Sequence, residues 1–237
     1  MNCGIRVAVK IQEGDLITMK RKAKRYFILA GLLFFFFVLL TVCVTCVDTK
    51  PIGPEETVIG LASINHFVFR LVGVNLIWYY VTDWLGVIAV LFAVGFGCVG
   101  LCQLIGRKDI RKVDRSIVTL GLFYLLTMAC YLFFEQVVIN YRPVLLGEEL
   151  EASYPSSHTI LVVCIMDTAA MQICRLFSDK KKLYLGMKCV SILLIVVTVI
   201  GRLLSGVHWF TDIVGGLLLS GALIVLYRAV IVYLEGE

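Results

Sequence analysis

Tyr26-Phe27-Ile28-Leu29-Ala30-Gly31-Leu32-Leu33-Phe34-Phe35-Phe36-Phe37-Val38-Leu39-Leu40-Thr41-Val42-Cys43-Val44-Thr45-Cys46-Val47 is a run of 22 residues without a charge. A helix needs about 20 apolar residues to cross the hydrocarbon core of a bilayer, so this run reads as a membrane span. Five further blocks of the same character follow, at Trp84–Ile105, Ser116–Phe134, Thr159–Phe177, Leu183–Ile200 and Trp209–Tyr227. In lipid every backbone N–H and C=O must find an internal partner, which only helices and closed barrels provide. The blocks are too long and too uniformly apolar for barrel strands. The sequence therefore predicts an all-α, polytopic membrane protein of six transmembrane helices.

Composition agrees. Of 237 residues 60% are hydrophobic and 16% charged, against about a quarter charged in a soluble domain. The expected organisation is a basic, cytoplasmic N-terminal tail over 1–25 and one membrane domain over 26–237. The first apolar run is too long for a signal-peptide core and has no convincing small-x-small cleavage site, so it is expected to stay as an anchor. Between the first two spans, Thr57–Asp83 carries Leu61, Ile64, Val68, Leu71, Asn75 and Trp78 at helical spacing with polar residues interspersed. That mixture predicts one or two helices lying in the membrane interface. A seventh span there would invert everything downstream.

The net charge of +5 does not point to nucleic acid, because the basic residues fall in short runs between apolar blocks. Such runs set topology and meet anionic headgroups. With the N-terminus inside, the tail, the Arg107–Arg115 loop and the Arg175–Lys182 stretch place sixteen Lys and Arg on the cytoplasmic side, against Lys50, Arg70, Arg142 and Arg202 outside. Both termini are thus expected in the cytoplasm. Eight of the nine cysteines lie within predicted spans and none in an extracytoplasmic loop, so they read as packing residues rather than disulfide partners.

Three stretches at the expected outer interface hold unusual polar sets: Asn140-Tyr141-Arg142-Pro143, Tyr154-Pro155-Ser156-Ser157-His158, and Gly201-Arg202 followed by Ser205-Gly206-Val207-His208-Trp209-Phe210-Thr211-Asp212. His208 and Asp212 stand four apart, where one helix face would hold both. A carboxylate can take one ring N–H and leave the other nitrogen free to attack. Backbone N–H groups at the start of the fourth span form an anion site, and His158 sits at its mouth. Arg142 and Arg202 add two planar, permanently charged forks suited to phosphoryl oxygens.

In order and spacing these stretches resemble the signature of the type-2 phosphatidic acid phosphatase family, K-x6-R-P, P-S-G-H and S-R-x5-H-x3-D. This chain offers Arg142-Pro143, Pro155-Ser156-Ser157-His158 and Arg202-x5-His208-x3-Asp212. The resemblance covers the third to sixth spans closely. It implies hydrolysis of a lipid phosphate or diphosphate at the extracytoplasmic face through a phosphohistidine on His208. Asp212 would orient His208, and His158 would serve as acid and then base. Arg142, Arg202, Ser156 and Ser157 would hold the phosphate, with no metal and no cofactor. The implied substrates are undecaprenyl diphosphate, phosphatidylglycerophosphate or phosphatidic acid. The alternatives are a lipid phosphotransferase of the same fold or an inactive lipid-binding scaffold. Two histidines and a carboxylate also suit zinc or iron, but two arginines alongside would crowd a dication.

The chain departs from the signature at Glu135, where the family has lysine, at Ser157, where it has glycine, and at Gly201, where it has serine. Glu135 is expected to pair with Arg142, Arg202 or another polar group, or to face away from the gap between the histidines. Asp167, mid-span and on the far side of its helix from His158, is expected to make an interhelical bond, with Lys188 as one partner.

Overall fold

The computed structural model describes residues 13–177 and 179–236. Helix α1 runs Glu13–Cys46. A two-stranded antiparallel ribbon follows (β1 Lys50–Pro51, β2 Val58–Ile59), then α2 (Ala62–Val72), α3 (Leu76–Arg107), α4 (Arg115–Gln136), α5 (Ser157–Leu176), α6 (Lys181–Leu204) and α7 (Phe210–Glu235). Six helices, all but α2, are long and apolar enough to cross a membrane. The six-span all-α reading holds, with α2 as the short amphipathic helix between the first two spans.

The boundaries differ in two places. The helix that carries the first span already starts at Glu13, so the described part of the predicted tail, 13–25, is helical and continuous with it. The remainder of that tail, including Cys3, lies outside the described residues. The predicted interfacial segment is also too long. The chain breaks between Gly73 and Asn75, and Asn75 Oδ1 accepts from Ile77 N at 3.1 Å as a helix cap. From Leu76 the residues up to Asp83 belong to the second span.

Hydropathy and burial run in opposite senses along the bundle. Helix α5 has the lowest mean hydropathy of the six, 1.6, and the most buried window, while α1 at 3.0 and α3 at 2.5 are largely exposed. Lipid-facing surfaces must be apolar, whereas a central helix can carry polar groups that partners satisfy. Accordingly Phe35, Leu91, Ile105, Leu125 and Leu193 face outward. Helix α5 packs against α3, α4, α6 and α7, and α1 lies along α7. Ile160, Val162, Cys164 and Met166 of α5 meet Phe37, Leu219, Leu223 and Tyr227 in the core. The eight described cysteines are free thiols.

Two polar contacts fix the frame around this core. Asp167 of α5 pairs with Arg228 of α7, Oδ2 to Nη2 2.8 Å. The interhelical bond is as expected, but its partner is Arg228 rather than Lys188. Buried Asn65 of α2 clasps the start of α7: its Nδ2 donates to Thr211 Oγ1 at 3.0 Å, and its Oδ1 accepts from Thr211 N at 3.1 Å. The short helix thereby anchors the segment that leads into Asp212.

Candidate active site

The loop between α4 and α5 folds back on itself through a Tyr141–Ala152 bridge, with Arg142 N donating to Glu151 O at 3.1 Å and Ser153 N to Asn140 O at 2.9 Å. Two bonds then tie this loop to the start of α7. Trp209 Nε1 donates to Tyr141 O at 2.8 Å, and Ser156 N to Asp212 O at 3.0 Å. All three polar stretches therefore meet at one end of the bundle.

His208 is not on a helix. Helix α6 ends at Leu204, and Gly206, at φ 69°, turns the chain. A side chain is disfavoured there twice over: the backbone is left-handed, and a Cβ would come within 2.3 Å of Gly73 O. The turn lays His208 in the loop before α7. Asp212 lies in the first turn of α7, where its Oδ2 accepts from Trp209 N at 2.8 Å. The pair is thus a loop residue bent onto a helix-capping carboxylate, not two residues on one helix face. His208 Nδ1 stands 3.6 Å from Asp212 Oδ2, beyond a normal hydrogen bond. Ser153 closes the interval: its hydroxyl donates to Asp212 Oδ2 and lies 3.3 Å from His208 Nδ1. Nδ1 is therefore engaged, while buried Nε2 has no partner among the described residues. Burial, and then the charges of Arg142, Arg202 and His158, hold the His208 pKa well below the ordinary histidine value, against a hydrogen bond with Ser153. A neutral imidazole with one nitrogen held and the other free is the nucleophilic form.

His158 is the second residue of α5. Its Nε2 lies 3.1 Å from Asp83 Oδ1 of α3, and the same oxygen accepts from Arg202 Nη2. Arg202 is fully buried, with its guanidinium 5.1 Å from the Tyr79 ring. Its Nε and Nη1 have no acceptor among the described residues. Arg142 pairs with Glu151, Nε to Oε2 3.0 Å, and its buried Nη1 is likewise without a partner. Buried cationic donors left over from protein contacts are the groups that an anion would satisfy.

The two serines differ from each other. Ser156 is spent on structure: its N–H goes to Asp212 O, and its Oγ accepts from Thr159 Oγ1 at 3.0 Å as the cap of α5. Ser157 opens the helix, where position alone leaves its amide and that of His158 without an intrahelical acceptor. Glu135 is exposed and pairs with neither arginine, since those pair with Glu151 and Asp83. It borders a small crevice with Tyr131, Ser153, Tyr154 and Ser157, which neither histidine lines.

Gly201 has a packing reason. A Cβ there would meet Thr82 Cγ2 at 2.6 Å and the Trp78 ring at 3.0 Å, so α3 and α6 approach too closely for the serine of the family signature. Restoring that serine overpacks the contact. Gly201→Ser should cost about 1–3 kcal/mol of stability, read as a lower melting temperature of the purified protein. An unchanged melting temperature would show that the helices can part freely.

Sequence reasoning overlooked Asp83, Ser153 and Glu151. Their one common signal is polarity beside an apolar block. Among the described residues there is no cluster of three or more His, Cys, Asp or Glu with metal-holding geometry.

Residues 116–235 match the family model of the PAP2 superfamily. The fold is similar to the crystal structure of a transmembrane PAP2-type phosphatidylglycerolphosphate phosphatase from Bacillus subtilis. That match has 19% sequence identity and a TM-score of 0.57, and covers 84% of this chain and 94% of the other. At that identity the likeness is one of fold. No protein of curated function matches the chain. The family match spans half of the sequence and includes Arg142, His158, Arg202, His208 and Asp212, and this chain is therefore a multi-pass membrane member of the PAP2 superfamily.

Proposed function

We propose that the chain hydrolyses a lipid phosphate or diphosphate at the extracytoplasmic face of the membrane through a phosphohistidine intermediate. One observation carries this reading: His208 has Nδ1 held by Ser153, which is itself bound to Asp212, and a buried Nε2 with no partner among the described residues, beside two arginines with unspent donors. In the first step Nε2 attacks phosphorus and the N–P bond forms. The P–O bond to the leaving group breaks, and His158 gives its proton to the departing oxygen. In the second step His158 takes a proton from water, the resulting hydroxide attacks phosphorus, and the N–P bond breaks to release phosphate. Arg142 and Arg202 hold the equatorial oxygens throughout, with the amides of Ser157 and His158 at the helix start. Fixed charge of this kind is the main lever in phosphoryl transfer. The chemistry needs neither metal nor cofactor.

The substrate is an anionic lipid such as phosphatidic acid, phosphatidylglycerophosphate or undecaprenyl diphosphate. The purified protein should release phosphate from at least one of these, resist chelators, and be inhibited by vanadate, which adopts the five-coordinate geometry of the transferring phosphorus. Activity lost to a chelator and restored by one added metal would overturn this mechanism. The outward-facing assignment rests on the Lys and Arg bias. In a variant without native cysteines, a cysteine at Glu149 should react with an impermeant thiol reagent in intact cells and one at Lys181 should not. The reverse pattern would put the site on the cytoplasmic side.

A further inference from the structure

We infer that Asp83 is a positioning residue for the reaction, acting through His158. The inference rests on the phosphatase reading and adds to it a residue outside the family signature. Asp83 lies on α3, two turns below the Asn75 cap, and its Oδ1 meets a guanidinium and an imidazole at once. Arg202 Nη2 of α6 donates to it, and His158 Nε2 of α5 stands 3.1 Å away. Three helices that are distant in sequence thus converge on one carboxylate oxygen.

Arg202 fixes the carboxylate. Its guanidinium is fully buried and lies against the Tyr79 ring, one turn before Asp83 on the same helix. The carboxylate in turn fixes the imidazole. His158 carries no other side-chain hydrogen bond among the described residues, and its Nδ1 is buried without a partner. A Cβ added to Gly86, one turn on from Asp83, would come within 3.2 Å of His158 Cδ2, so α3 also walls the ring on its carbon side. The result is a chain Arg202–Asp83–His158 parallel to the chain Asp212–Ser153–His208. One orients the acid and base, the other the nucleophile. A carboxylate that holds an imidazole in one orientation and tautomer is worth far more to rate than to binding. Arg202 keeps Nε and Nη1 for the phosphoryl group, so the role of Asp83 does not compete with phosphate binding.

Asp83→Asn tests this, because the amide preserves shape and one acceptor while removing the charge. The probes are two esters of phosphate: a long-chain alkyl phosphate, whose leaving alkoxide needs a proton, and p-nitrophenyl phosphate, whose leaving group does not. Acid catalysis contributes about 10²–10⁴-fold. Accordingly kcat/KM for the alkyl ester should fall about 10–100-fold in Asp83→Asn, while kcat/KM for the nitrophenyl ester and the inhibition constant for vanadate change by less than about threefold. Asp83→Glu should recover part of the alkyl-ester loss, which guards against a mere folding defect. Equal losses on both esters would overturn the inference and leave Asp83 a packing residue. Tighter vanadate binding with undiminished turnover would overturn it differently, by showing that the carboxylate occupies the place of the phosphate. A native chain inactive on every phosphate ester would sink the phosphatase reading and this inference together.

Discussion

His208→Ala should leave a folded protein that releases phosphate at least about 10⁴-fold more slowly than the native chain. Deleting the nucleophile of a covalent mechanism removes the intermediate altogether, and losses of this order or larger are the rule for such residues. The change corresponds to about 5 kcal/mol of barrier. Folding should survive, because the residues around the site are held by bonds that do not involve the imidazole: Trp209 N to Asp212, Trp209 Nε1 to Tyr141 O, and Ser156 N to Asp212 O. The same imidazole sets the acid limit of the reaction. Its pKa is depressed in the folded protein, so the neutral, nucleophilic form persists as pH falls through 6.5. The free-enzyme profile, kcat/KM against pH, should therefore lose activity on the acid side only well below the ordinary histidine value. An acid limb near pH 6.5, or a variant with native turnover, would remove His208 from the nucleophile position.

Arg202→Ala should cost the next largest factor, about 10²–10³ in kcat, the range seen when one fixed donor to a developing anion is deleted. Three effects coincide in this residue. Its Nε and Nη1 are buried donors with no acceptor among the described residues, its Nη2 holds Asp83, and its guanidinium covers Tyr79. Removing one partner of a fully buried ion pair costs roughly 3–5 kcal/mol. Asp83, however, is about a third exposed, and water screens the charge left behind, so a loss of roughly 1–2 kcal/mol is expected. Arg202→Lys separates the contributions. It restores a cation for Asp83 but not a planar fork, so it should recover most of the stability and little of the rate. Turnover within threefold of native in either variant would show that the guanidinium does not touch the phosphoryl group.

The membrane architecture was legible because lipid leaves few options. An uncharged run as long as Tyr26–Val47 must satisfy its own backbone, and a helix does so locally. Spacing also marked the candidate site residues that the fold brings together, because Arg202, His208 and Asp212 lie within one short stretch and His158 beside a helix start. The first two turns of the second span were lost for a physical reason. Asp83 and Asn75 lower the local hydropathy, so the span seemed to begin after them. Yet Asp83 is satisfied by Arg202 and His158, which lie 119 and 75 positions further along the sequence. A sliding window reads composition, not partners. The geometry of His208 was missed for a similar reason. A separation of four residues suggests one helix face, but the chain turns at Gly206 and α7 starts only at Phe210. Ser153 carried no motif at all, and it is the fold-back of the loop around the Tyr141–Ala152 bridge that brings it between His208 and Asp212. Gly201 looked like a lost hydroxyl until the approach of Thr82 and Trp78 gave it a steric cause.

The central claim is that phosphate passes through a covalent bond to His208 Nε2. Rapid acid-free quenching of the protein during turnover of a ³²P-labelled lipid phosphate, followed by peptide mapping, tests it most directly. The account predicts a phosphoryl group that is stable to alkali and labile to acid, located on the peptide containing His208 and absent from His208→Ala. Label on another residue, or turnover with no labelled protein at any quench time in both native and Asp83→Asn chains, would contradict it.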